Sequence, residues 1–153
     1  MIQTTIIQSS TRSWKDMFVE TARRATTLGP GRLVGISHCC DESEGTVTLW
    51  HRPDGQRPQR WMRFWFVRSS TRTWASLFDE AADRAAGLAE GQLFTISHSC
   101  DSSDAVVAVW YWVDHNPAEQ KALRGGVSLS PGGGGGLSEP AGDEKGDPTS
   151  APR

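Results

Sequence analysis

The chain holds one tyrosine and three cysteines in 153 residues, and no run in it approaches the ~20 consecutive apolar residues that a membrane-spanning helix requires. Cys39 and Cys40 are adjacent and Cys100 stands alone, so no disulfide framework can be drawn and a reducing compartment is expected. The first residues, Met1-Ile2-Gln3-Thr4-Thr5, carry neither a basic segment nor a long apolar one, so a secretory signal is not expected and the protein is read as cytoplasmic, with no membrane partner. Nothing in the sequence assigns a cofactor. Against these shortages stand seven tryptophans, in a chain that is 37% hydrophobic and 22% charged and long enough for one domain with its own core.

The formal net charge of −2 hides an uneven distribution. Residues 52 to 68 contain Arg52, Arg57, Arg60, Arg63 and Arg68 against Asp54 alone, whereas residues 69 to 115 carry seven acids against Arg72 and Arg84. A basic middle beside an acidic second half suggests pairing within the protein or between copies as readily as nucleic-acid binding.

Self-similarity organises the rest. Ser9-Ser10-Thr11-Arg12-Ser13-Trp14 returns 60 residues later as Ser69-Ser70-Thr71-Arg72-Thr73-Trp74. At that offset, residues 9 to 50 and 69 to 110 align without a gap and share 21 of 42 positions, including Phe18/Phe78, Ile36/Ile96, His38/His98, Cys40/Cys100 and Trp50/Trp110. The chain is a tandem duplication followed by a tail. We divide it into a first repeat with its connector (1–60), a second repeat (61–115) and a Gly/Pro-rich flexible tail (116–153), read as mostly disordered from about residue 125 because it has no apolar face to bury.

Each repeat predicts the same local structure. Ser13 and Thr73 are helix caps, with Asp16 completing an approximate capping box in the first repeat. Trp14, Met17, Phe18, Thr21, Ala22, Ala25 and Leu28 then fall on one helical stripe, and Trp74, Leu77, Phe78, Ala81, Ala82, Ala85 and Leu88 repeat it. Gly29-Pro30-Gly31 stops the first helix sharply, while the second retains only Gly91 and ends more softly. Before and after each helix the period becomes two, giving strands over 4–8, 33–38 and 46–51 and over 64–68, 93–98 and 106–112. The expected fold is α+β, a tandem β-α-β-β repeat whose six strands form an antiparallel-dominated sheet with two helices on one face.

Alternation separates the sheet faces. Val47, Leu49, Val107, Val109 and Tyr111 belong under the helices, which sends Trp50, Trp110 and Trp112 to the other face, joined by Ile6, Phe64 and Phe66. Large aromatic side chains on an uncovered face demand an occupant. Self-association is the first expectation, making the chain a non-catalytic assembly module and a homo-oligomer in which Trp50, Trp110, Trp112 and Phe66 form the interface. A small planar, flavin-like ligand stacked on the same tryptophans is the alternative. Single-stranded nucleic acid is a further one, carried by Arg57, Arg60, Trp61 and Arg63, where arginines interleave with aromatics.

Two duplicated sets carry other chemistry. His38 with Cys40 and His98 with Cys100 place an imidazole and a thiol on the same side of a strand, and convergence of the two pairs would give a Cys2His2 zinc set. As a catalytic pair they fit poorly, since i and i+2 side chains on a strand lie about 7 Å apart. Ser10, Thr11 and Arg12, with Ser70, Thr71 and Arg72, stand where a helix N-terminus can hold a phosphate or carboxylate, although capping and ion pairing explain the same residues.

The run Ser-Thr-Arg-Ser-Trp-Lys-Asp through Ala22, Ala25 and Leu28, with one strand before it and two after, resembles the dodecins, over roughly 20 residues of each repeat. Dodecins are small β-α-β-β proteins that assemble into hollow dodecamers and bind flavins between aromatic side chains. Where their second strand carries the flavin-stacking tryptophan, this chain has Leu33-Val34 and Leu93-Phe94. The resemblance therefore implies an oligomer of β-α-β-β units, without the flavin site.

Overall fold

In the computed structural model, the described residues are 1–41, 44–55, 59–100 and 104–117. Of the tail expected from residue 116, all beyond 117 lies outside the described residues, as do Arg57 and parts of both hairpin turns. The order is β1 (Gln3–Ser9), α1 (Trp14–Leu28), β2 (Leu33–Cys40), β3 (Gly45–His51), β4 (Trp61–Ser69), α2 (Trp74–Ala86), β5 (Leu93–Cys100) and β6 (Ala105–Val113). This is the α+β arrangement of two β-α-β-β repeats, with six strands paired antiparallel throughout and two helices.

Both helices begin where their caps place them. The Ser13 hydroxyl oxygen accepts from the Asp16 N–H at 3.2 Å and its O–H donates to the Asp16 carboxylate, and the Thr73 hydroxyl accepts from Ser76 N–H at 3.3 Å. The ends differ as the glycines dictate. Gly29 takes φ 78° and donates its N–H to Ala25 O, a backbone conformation that a side chain disfavours, whereas Gly87 closes the shorter α2 in the ordinary right-handed region.

The strands form two three-stranded ladders, β1-β3-β2 and β4-β6-β5, each with the hairpin's last strand in the middle, rather than one continuous ladder of six. The flanking strands β1 and β2, both antiparallel to β3, run parallel to each other as expected of a strand-helix-strand crossover. The two sheets come together where β2 lies along β5.

Each helix covers the odd-numbered face of its own sheet: α1 packs on Val47 and Leu49, and α2 packs through Leu77 and Ala81 on Val107 and Val109. The second sheet is also stacked on α1, so that helix is covered on two sides. Phe64, Phe66, Trp110 and Trp112, on the even face of the second sheet, join Trp14, Met17, Phe18 and Ala22 in one core. Phe18 is fully buried, with ring centroids 5.7, 5.4 and 5.2 Å from those of Phe64, Phe66 and Trp110. Both helices were expected on one side of one sheet, but stacking puts them on opposite faces of the second sheet. The reason lies in the width of the helix stripe. In α2, packed on its own sheet, only Leu77 and Ala81 are buried, whereas in α1, which has the second sheet against it as well, the ridge of Trp14, Phe18 and Ala22 is also buried.

Candidate functional site

The expected parity of the faces is correct, but the expected exposure is not. Trp110 and Trp112 are buried and Phe66 is half-buried, because α1 of the first repeat occupies the face they share. Only Trp50, on the corresponding face of the first sheet, remains open, at 43% exposure, with Ile6 exposed beside it on the paired strand. The aromatic interface predicted from sequence thus exists inside the molecule for three of its four residues.

A polar junction fixes the register between the repeats. The Trp110 indole N–H donates to Ser97 Oγ at 2.9 Å, and the same oxygen lies 2.8 Å from His38 Nδ1 on the neighbouring strand. His38 also packs edge-on against Trp14 and Phe18, each at 5.2 Å between ring centroids. Burial pushes the His38 imidazole down to about 4, the nearby His98 adds to the shift, and the Val106 backbone opposes it. His38 is therefore neutral at physiological pH.

The second repeat copies both halves of this junction and leaves them open. Trp74, Phe78 and His98 form the same aromatic trio as Trp14, Phe18 and His38, with centroid separations of 5.6, 5.6 and 5.2 Å, but they are exposed. Phe78 is 38% exposed where Phe18 is 0%. Ile96 and Leu93 are likewise exposed where Ile36 and Leu33 are buried. In the first sheet, Trp50 Nε1 donates to Ser37 Oγ at 3.0 Å, the counterpart of Trp110 on Ser97. Here Ser37 is exposed, and among the described residues no imidazole is hydrogen-bonded to its hydroxyl.

Trp74, Phe78 and His98 border an open cavity of about 480 Å³ that also reaches His38, Cys39, Cys40, Ser99 and Cys100. The two His-Cys pairs predicted as zinc ligands do meet at this cavity. No group of three or more His, Cys, Asp or Glu side chains among the described residues is arranged to hold a metal, and the Cys40 thiol is turned to the Asp41 carbonyl at 3.2 Å. His38 is committed to Ser97.

The remaining candidates are engaged locally. At the helix N-termini the Ser9 hydroxyl accepts from the N–H groups of Thr11 and Arg12, and Ser69 does the same for Thr71 and Arg72. Arg12 reaches the Asp16 carbonyl at 3.1 Å, and Arg72 bonds Ser76 and pairs with Glu80. The backbone N–H groups of Thr11, Arg12, Thr71 and Arg72 are thus engaged within the turns. In the connector, Arg60 pairs with Asp114 at 2.6 Å and donates to the Gly91 carbonyl. Trp61 is half-buried at the start of β4, opposite Val113, and Arg63 is exposed. Arg68 pairs with Asp104, so two arginines of the basic stretch are paired with acids of the second repeat within the chain.

Trp74 and Phe78 were read from sequence only as core, because the stripe they share with Leu77 and Ala81 gave no sign of which part the sheet covers. Their exposure follows from packing: the second repeat's sheet covers the outer ridge of α1, and no sheet among the described residues covers that of α2. No protein-family model, curated protein or solved structure matches the chain. The two β-α-β-β repeats agree with a dodecin-like fold. No helix among the described residues is long and apolar enough to cross a membrane.

Proposed function

We propose that the protein is a non-catalytic, cytoplasmic assembly module of fused dodecin-like units that self-associates through aromatic faces. One observation carries this reading: Phe78, with Trp74 beside it, is exposed where its duplicate Phe18 is buried against the other repeat. Exposed clusters of large apolar side chains at a position built for burial mark interaction surfaces. A small planar ligand is the second reading, supported by the cavity of about 480 Å³ beside Trp74, Phe78 and His98. Nucleic acid at the connector has less support, since Arg60 is already paired.

Native mass spectrometry of the full chain tests both readings. Oligomers that dissociate in the Phe78→Glu variant, with an unchanged far-ultraviolet circular dichroism spectrum, are the expected result. A wild-type chain that is monomeric at all concentrations overturns self-association, and a monomer carrying a small molecule with absorbance beyond that of tryptophan selects the ligand reading.

A further inference from the structure

We infer that the occupant of the exposed α2 face is the first sheet of a second copy of this chain, bound head-to-tail through a His98–Ser37–Trp50 junction. This rests on the self-association reading above and specifies its geometry.

Continuity with the interface already present between the repeats carries the inference. Inside one chain, the Trp14–Phe18–His38 trio receives the back of the second sheet, and His38 Nδ1 meets the Ser97 hydroxyl on which Trp110 also lies. The trio's duplicate, Trp74–Phe78–His98, is exposed. The duplicate of the receiving surface, Trp50 donating to Ser37 Oγ with Ile6 alongside, is exposed as well. The two open surfaces are thus the halves of an interface whose closed form the chain itself displays. An imidazole supplied by His98 of one copy completes at Ser37 of the next the arrangement that His38 completes at Ser97.

Such a contact is heterologous: donor and acceptor surfaces differ, and joining them leaves one of each free for the next copy, so the assembly either closes into a ring or extends. It also accounts for the composition of the first sheet's back face. Thr4 and Ile6 stand where the second sheet has Phe64 and Phe66, a smaller apolar load that suits a surface exposed before assembly.

Complementation decides the geometry. Phe78→Glu disables the α2 surface and Trp50→Glu the sheet surface, and both residues are exposed in the single chain. Each variant alone is expected to be monomeric, and an equimolar mixture is expected to form a heterodimer and nothing larger, because one working contact remains. Ile6→Glu replaces Trp50→Glu should the latter fail to fold. A Ser37→Ala or His98→Ala chain is expected to assemble about tenfold more weakly, the loss of roughly one buried hydrogen bond. If the wild type is oligomeric but one of the glutamate variants still pairs with itself, or if the mixture stays monomeric, the head-to-tail contact is overturned while self-association stands. If the wild type is monomeric, both fall together.

Discussion

His38 Nδ1 lies 2.8 Å from the Ser97 hydroxyl oxygen, across 59 residues of sequence and between the two repeats. The contact ties together side chains that are each buried, and Ser97 is further engaged by the Trp110 indole. Removing that one hydroxyl leaves two polar groups without a partner in an apolar surround. Ser97→Ala is therefore expected to destabilise the fold by about 2 kcal/mol. The duplicate change Ser37→Ala, at an exposed hydroxyl, is expected to cost less than about 0.5 kcal/mol. Urea unfolding in a Phe78→Glu background, which removes any contribution from assembly, compares the two, and equal costs would refute the distinction.

The aromatic trios make the same comparison for packing. Phe18 touches Phe64, Phe66 and Trp110 with no exposed surface, so Phe18→Ala is expected to cost about 4 kcal/mol. Phe78 touches Trp74 and His98 and is open on its other side, so Phe78→Ala is expected to cost under about 1 kcal/mol in the isolated chain. Thermal unfolding in a Trp50→Glu background reads the difference.

Much of this asymmetry could not be read from the sequence. Offset-60 identity and the change from helical to alternating period disclosed both β-α-β-β units, their caps and the face each strand residue takes, because those depend on local periodicity. Val47 and Val107 lie under their helices and Trp50 and Trp110 on the reverse, as alternation requires. What alternation cannot encode is which reverse face is occupied. Trp110 and Trp50 hold the same position in the duplication and the same parity, yet one is buried with α1 of the preceding repeat and the other is exposed, a difference that alternation alone does not carry. The strands also run longer than the alternation suggested. β4 begins at Trp61 and β2 reaches Cys40, because ladder partners at Val113 and Gly45 extend the pairing past residues that alternation leaves unassigned.

Acid is expected to weaken the junction through His38. Its ordinary value near 6.5 falls to about 4 in the folded chain, chiefly through burial. Between those values the unfolded chain binds a proton that the folded chain does not, so the stabilisation is complete above pH 6.5 and is lost as pH falls toward 4. The whole window is worth about 3 kcal/mol. Chemical denaturation at steps through that range, in the Phe78→Glu background, is expected to show this slope. His38→Phe is expected to remove it and His98→Phe to reduce it only slightly, since His98 is the smallest contributor to the shift. A slope indifferent to His38 would show that other groups govern acid stability.

The two helix ends give a last contrast, because the same substitution is expected to act with opposite sign. Gly29 sits at φ 78°, ψ 161°, a combination that L side chains avoid, so Gly29→Ala is expected to destabilise by about 2 kcal/mol. Gly87 sits at φ −79°, ψ −2°, and an added Cβ there would meet the Arg84 carbonyl at 3.6 Å and the Asp83 carbonyl at 3.9 Å, both ordinary contacts. Nothing in the folded chain opposes the alanine, and the unfolded chain loses conformational freedom, so Gly87→Ala is expected to stabilise by about 0.5 kcal/mol. Because Gly87 lies past the end of α2 and away from Trp74 and Phe78 in sequence, that variant should also leave assembly intact. Denaturation midpoints alongside native mass spectra check both halves, and a destabilised Gly87→Ala chain would mean that α2 ends through a constraint other than its backbone angles.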